Sequence, residues 1–349
     1  MESRISLQTD DRLALLRAWL ATLPAELGVS ADSLRPASSD ASFRRYFRID
    51  LNTGTAVIMD APPEREDCRP FLHVGERLNA AGLRVPHILA QNLEQGFLLM
   101  SDLGASNFYQ ALQQDLDEAT LHSLYRPALQ ALVHMQKAPC NDLPAYDGRR
   151  LLDELSVFRE WYVEKHFNAT LTPAEDAALA EVFAKLTADN AAQPTVLVHR
   201  DYHSPNLMLP ETLGGAPGII DFQDAVAGPI TYDIASLAFD ARHTWEEDRQ
   251  LDWAIRYWEM ARDAGLPVGD DFATFHRAYE WMSLQRNLRV LGVFVRLSLR
   301  DNKHHYLDHL PRVNNYVRQV ASRYGTFRPL MRLLDRLEGV QPVNPLGFA

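Results

Sequence analysis

The chain has only two cysteines, Cys68 and Cys140, in 349 residues. Two thiols cannot build a disulfide framework or a four-cysteine zinc site, and they read as free thiols in a reducing compartment. No stretch approaches the roughly 18 consecutive apolar residues that a membrane span needs. The opening "MESRISLQTDDRLALL" interleaves acids and arginines with leucines and lacks the uninterrupted apolar core of a secretory signal. A cytoplasmic protein is therefore expected. Positive charge is short as well: a formal net charge of -11 excludes diffuse binding to nucleic acid or to an anionic membrane as the main business. Internal repeats, low-complexity segments and linkers are all missing. What remains is ordinary globular composition, with 46% apolar and 23% charged residues, and a length that suggests one large domain or two lobes.

Hydrophobic periodicity sorts the chain into two regions. Leu13, Leu16, Trp19 and Leu20 fall at helical spacing within 9–27, behind a Thr/Asp cap signal. The runs 43–50 and 55–60 alternate as strands around a turn-like "LNTG", and predict a hairpin. A helix over 69–82 ends at Gly82 and leads through "VPHILAQN" to the apolar strand "GFLLM". From about 108 onward long helices dominate, over 108–137, 150–167, 173–189, 231–240, 246–264, 271–300 and 311–323. They are interrupted at 195–222, where "TVLVH" and "GIIDF" read as strands that bring polar residues to one edge. The expected fold is α+β, with a small β-sheet lobe over 1–102 and a large, mainly helical lobe over 103–349.

That interruption carries the chemistry. In "HRDYHSPN", Asp201 stands two residues after His199 and five before Asn206; Asp221 of "GIIDFQD" follows Asn206 by fifteen. Phosphoryl transfer needs a hydroxyl aligned with the γ-phosphate and metal ions that neutralise spread charge, and little covalent help from the protein. Asp201 suits the acceptance of the hydroxyl proton. Asn206 and Asp221 supply the hard oxygen ligands that magnesium prefers. Asp and Asn in a loop also cap turns, but four fixed positions in register with two strands are a far more specific signal.

"HRDYHSPN" with "IIDFQD" resembles the H-x-D-x-x-x-x-N and Asp-Phe pattern of the protein-kinase-like superfamily, and specifically its aminoglycoside phosphotransferase branch. The resemblance implies a bilobal kinase-like fold, ATP and Mg2+ as cofactors, Asp201 as catalytic base, Asn206 and Asp221 as metal ligands, and His199 as a prop of the catalytic loop. Asp233 in "TYDIASLAF" fits an N-cap or loop brace. Only "FQDAVAGPITY" separates Asp221 from the next helix, too little for a protein-kinase activation segment. His203 stands where protein kinases of this pattern usually carry lysine. Both features imply a small-molecule kinase, with His203 beside Asp201 in the catalytic set.

The first lobe departs from the superfamily pattern. The strand lysine that reaches the phosphates is replaced by Met59, with Asp60 next to it, and the glycine-rich lid by "SSDASFRRYF". Ser38, Ser39, Ser42 and Arg44 are the phosphate-binding candidates there, with Arg45 an alternative cation; solvated hairpin residues are the plainer reading of the arginines. Met100, Ser101, Asp102 and Leu103 form the expected adenine-binding connection.

A narrower resemblance rests on "DASFRRYFR", "VIMDAPPE", "GFLLMSDLG", "FREWYV", "VHRDYHSPNLM" and "QRNLRVLGVFVRLSLRDNK", spread over most of the chain. It is to the anomeric sugar kinases of peptidoglycan recycling, which phosphorylate N-acetylmuramate and N-acetylglucosamine at C1 and also lack the strand lysine. It implies an amino sugar acceptor, with no nucleic acid, membrane or protein partner evident. A muramate carboxylate wants a cation, and Arg286, Arg289, Arg296 and Arg300 offer one; a solvated basic helix face is the plainer alternative. Trp161 and Tyr162 could stack on a sugar ring or pack the core. The other readings are an aminoglycoside or other small-molecule alcohol kinase, and a pseudokinase that binds nucleotide without turnover.

Overall fold

The computed structural model describes residues 11–39 and 43–340. Helix α1 (Asp11–Leu20) precedes strands β1 (Ser30–Ser39), β2 (Arg45–Asp50) and β3 (Thr55–Asp60), then α2 (Arg69–Ala80), β4 (Ile88–Asn92) and β5 (Phe97–Ser101). The five strands form one sheet in the order β1-β2-β3-β5-β4, every neighbouring pair antiparallel. The hairpin closes where the Leu51 N–H donates to the Gly54 carbonyl; Gly54 takes φ +81°, which favours glycine. β1 has no counterpart in the sequence reading. It is an edge strand carrying Pro36 and four serines, a composition that masks strand character while remaining compatible with an edge.

Strand alternation gives the sheet two buried faces. Phe47, Ile49, Ile58, Phe97 and Leu99 meet Leu13, Leu16, Trp19 and Leu20 of α1, with Trp19 stacked on Phe97 at 5.6 Å. Each such side chain taken from water contributes about 1.5–3 kcal/mol. On the opposite face Met59, Leu98 and Met100 join Phe71, Val74 and Leu78 of α2 in the main core. That side also borders the cleft.

The remainder is mainly helical: α3 (Phe108–Ala111), α4 (Glu118–Gln136), α5 (Gly148–Val157), α6 (Pro173–Ala191), and, beyond short strands, α7 (Tyr232–Ala238), α8 (Glu247–Asp263), α9 (Phe272–Asp301), α10 (Leu310–Ala321) and α11 (Arg328–Glu338). No helix among the described residues is long and apolar enough to cross a membrane. The single helix expected over 108–137 is two, because Asp117 caps α4 by accepting the Thr120 N–H at 2.8 Å. The first helix likewise stops at Leu20, before Pro24, and α11 was not anticipated.

Between α6 and α7 lie β6 (Thr195–Val198), β7 (Leu207–Met208), β8 (Gly218–Ile219) and β9 (Val226–Pro229). "TVLVH" and "GIIDF" do not pair with each other: β6 pairs with β9 and β7 with β8. Two small ladders thus clamp the loop carrying His199, Asp201 and Asn206.

"FREWYV" lies in a π-helical segment, Phe158–His166, continuing α5. This segment crosses α9 at Gly292, where an added Cβ would stand 2.3 Å from the Val157 carbonyl oxygen. Gly292→Ala is expected to destabilise the fold by about 1–3 kcal/mol through overpacking, measured as a lower midpoint in denaturant. An unchanged midpoint would mean that the crossing tolerates separation.

Candidate active site

The loop after β6 is held from beneath by one buried carboxylate. Asp233, in the first turn of α7, accepts the backbone N–H groups of His199 at 2.7 Å and Arg200 at 3.0 Å. Arg200 takes φ +76°, a conformation that bulky residues rarely adopt and that persists where surroundings enforce it. His199 places Nε2 3.0 Å from the Ile220 carbonyl, so Nε2 carries the proton, and Nδ1 accepts the Asp201 N–H at 3.3 Å. One imidazole thereby ties the loop to the strand end next to Asp221. Burial pushes the Asp233 carboxyl up to about 6, against the pull of His199 and the two N–H donors.

Asp201, Asn206 and Asp221 converge. The Asn206 amide donates to the Asp201 carbonyl at 3.0 Å and to Asp221 Oδ2 at 3.2 Å; Gln223 Nε2 donates to Asp221 Oδ1 at 2.8 Å. Asp221 also sits in the left-handed region, at φ +66°. Burial works to raise the Asp201 carboxyl, but His203, which is charged only in the acid range where this carboxyl titrates, and the guanidinium groups of Arg289, Arg286 and Arg200 outweigh it and hold the group at about 2. Asp201 is thus an anion at neutral pH, and its side chain keeps 36% of its surface exposed. His203 Nε2 lies 3.9 Å from Asp201 Oδ1, beyond hydrogen-bond range. Burial, reinforced by Arg242, holds the His203 imidazole well below its ordinary value and neutral.

A cavity of about 390 Å³ lies between the sheet and this loop. Met100, Ser101, Asp102 and Leu103 line it on one side, Asn206 and Asp221 on the other. The Asp102 side chain is committed elsewhere, accepting from Arg48 Nη2 at 3.0 Å, Thr55 Oγ1 at 2.6 Å and the Gly104 N–H at 2.9 Å. The Ser101 hydroxyl accepts the His87 N–H at 2.9 Å. Ser38 and Ser39 end β1, paired in register with Tyr46 and Arg45, while Ser42 lies outside the described residues. Arg44 Nη2 is 3.0 Å from Glu66 Oε2, and Arg45 pairs with Asp60.

The four arginines of α9 separate. Arg289 Nε is 3.2 Å from Glu154, which also engages Arg200 at 3.0 Å and the Tyr146 hydroxyl. Arg286 is 3% exposed, and its Nε and Nη1 have no hydrogen-bond partner among the described residues. Burial and neighbouring Arg300 lower the affinity of Arg296 for its proton; Arg300 itself is spent at the surface on Asp301, at 2.8 Å. Eleven residues of helix put Arg300 about 16 Å from Arg289, so shared face does not mean shared site. Tyr162 is buried and stacked on Phe158 at 5.3 Å, a core residue, whereas Trp161 is half-buried with Lys165 Nζ 5.6 Å from its ring centre. Sequence reasoning missed Glu154 and Asp240. Asp240 accepts the Ser204 N–H and the Arg242 N–H, both at 2.9 Å, and so shapes the loop's second half. A lone acid in a helical stretch carries no spacing signal that could have flagged either one.

Residues 33–281 match the phosphotransferase enzyme family. The chain belongs to that family. The N-acetylmuramate/N-acetylglucosamine kinase of Pseudomonas putida is 42% identical over 337 residues, spanning 94% of this chain and 97% of that protein. The kinase of the same name from Neisseria meningitidis is also 42% identical, over 95% of this chain and 98% of its own length. Among solved structures, the ADP-bound aminoglycoside phosphotransferase APH(2'')-Ib superposes with TM-score 0.59 over 89% of this chain and 99% of its own, at 12% identity. Plasmodium vivax ethanolamine kinase gives 0.59 over 91% of this chain and 89% of its own, also at 12% identity. This phosphotransferase therefore has the protein-kinase-like fold, with the antiparallel sheet and mainly helical remainder that its strand alternation and helical periodicity predict.

Proposed function

We propose that the protein transfers the γ-phosphoryl group of ATP to the anomeric hydroxyl of N-acetylmuramate and N-acetylglucosamine. The observation that carries this is the identity of 42% across nearly the whole length of relatives named for those two acceptors. Residues 1–102 hold the nucleotide and 103–349 supply catalysis and acceptor binding. The hydroxyl oxygen forms a bond to the γ-phosphorus, the bond to the β–γ bridging oxygen breaks, the hydroxyl proton passes to Asp201, and ADP leaves. An anomeric hydroxyl is more acidic than an ordinary alcohol, so an anionic carboxylate is an adequate base. His199 and Asp233 position Asp201, and neutral His203 adds no charge beside it.

The donor set fits Mg2+. Asn206 and Asp221 present hard oxygens, and among the described residues no cluster of three or more His, Cys, Asp or Glu could enclose a metal without help. Two protein ligands, completed by phosphate oxygens and water, are what this ion usually takes in nucleotide sites. Bound there, the ion would neutralise charge on the transferring phosphoryl group.

Arg286, buried near Asp201 with unpartnered nitrogens, is the cation of α9 best suited to an acceptor carboxylate. Arg286→Ala is expected to reduce kcat/KM for N-acetylmuramate about tenfold or more while changing that for N-acetylglucosamine far less. Equal losses on both sugars would assign Arg286 to Asp201 instead. The proposed function itself is tested by following ADP release with Mg-ATP and a panel of amino sugars, aminoglycosides and amino alcohols. Turnover confined to the aminoglycosides would overturn it.

A further inference from the structure

Among the described residues, Arg48 is the one cation that lines the cavity between the sheet and the catalytic loop. Its charge is already matched. Nε and Nη2 both donate to the Asp102 carboxylate, and Nη2 donates again to the Gly104 carbonyl at 3.0 Å. Both partners belong to the connection after β5, on the opposite side of the cavity from Asn206 and Asp221. A cation so neutralised and so placed has little to offer a phosphate.

What it offers is a surface. Side chains alternate along β2, so Phe47 and Ile49 pack beneath α1 while Arg48 turns to the cavity. There it heads a row across three strands: Arg48 is the register partner of Val57 on β3, Val57 is that of Met100 on β5, and all three line the cavity. With strands about 4.8 Å apart the row runs about 10 Å, long enough to underlie a purine. Pro205, Met208 and Ile220 line the cavity from the loop side. The bonds to Asp102 and Gly104 leave only Nη1 and the two planar faces of the guanidinium uncommitted, and Val57 and Met100 extend it as an apolar floor.

We infer that the purine of the nucleotide stacks on the Arg48 guanidinium, with Val57 and Met100 continuing the floor and Met208 and Ile220 closing over the other face of the base. A planar, delocalised guanidinium stacks on aromatic rings as an ammonium cannot, and its charge attracts the ring's π face. The fork to Asp102 orders the side chain before ligand arrives, so little freedom remains to be lost on binding. Asp102 is then a positioning residue, acting through Arg48. The base lies beside the connection after β5, and its phosphates run toward Asn206 and Asp221.

This inference rests on the nucleotide reading above, and binding without turnover separates the two. ADP, adenosine and UDP are titrated calorimetrically into the wild type, Arg48→Ala, Arg48→Lys and Asp102→Asn, with thermal melting as the check on folding. Arg48→Ala should weaken ADP and adenosine by the same factor, about tenfold, and should weaken UDP less, because a single ring covers less of the face. Arg48→Lys keeps a charge and a donor without the plane, and should lose nearly as much. Asp102→Asn loosens the guanidinium without removing it, and should lose less than Arg48→Ala. If Arg48→Ala does not fold, Arg48→Lys carries the same comparison. ADP affinity unaltered in Arg48→Ala, a loss that spares adenosine, full affinity in Arg48→Lys, or a loss in Asp102→Asn as large as in Arg48→Ala overturns the inference. A wild type that binds no ADP overturns the nucleotide reading and the inference with it.

Discussion

Asp201→Asn is expected to lower kcat by about 10²–10⁴-fold while leaving ADP affinity within about twofold of wild type. The side chain keeps its size, and the loop's anchors, through His199, Asp233 and Asn206, all bind backbone or other side chains, so the binding surface persists. What is lost is an anion held at about 2, hence ionised throughout the working range. Single-turnover kinetics beside an ADP titration separates the two effects. A variant retaining a tenth or more of kcat would remove Asp201 from the proton transfer.

Asp233→Asn is expected to cost stability and to change the pH profile. The wild-type carboxylate accepts two buried N–H groups, and an amide oxygen in its place is a weaker acceptor whose amino group finds no suitable partner there; the expected loss is about 1–3 kcal/mol. In the wild type, burial raises this carboxyl to about 6. Between about pH 4 and pH 6 the folded protein therefore keeps a proton that the unfolded chain has released, and stability falls as pH rises through that window. Catalysis runs the other way: below about pH 6 the protonated acid grips the His199 and Arg200 N–H groups less tightly, and kcat declines although Asp201 remains charged. The acid limb near pH 6 should vanish from the kcat profile of Asp233→Asn. Its persistence at the same pH would assign it to another group.

The parts legible in the chain are those encoded by short-range spacing. Strands β2, β3 and β5 alternate or run apolar, and α2 and α8 show helical periodicity, so each appears close to its expected bounds. "HRDYHSPN" works similarly, since a tight loop brings residues two to five apart into one site. Pairing between distant strands is a different matter. Nothing local tells "TVLVH" that its partner is Val226–Pro229 and not "GIIDF", because register is settled by which faces become buried. Edge strand β1 hides behind serines and Pro36. Glu154 joins Arg200, Arg289 and Tyr146 only once α5, α9 and the loop after β6 have packed.

The central claim is phosphoryl transfer to an anomeric oxygen, and the chemical lability of the product tests it most directly. N-acetylglucosamine incubated with enzyme and Mg-ATP should yield a sugar phosphate equimolar with ADP, which releases its phosphate on brief warming in mild acid, with no product from Asp201→Asn over the same time. A phosphate that survives the acid would place the transfer on an ordinary hydroxyl and contradict the account.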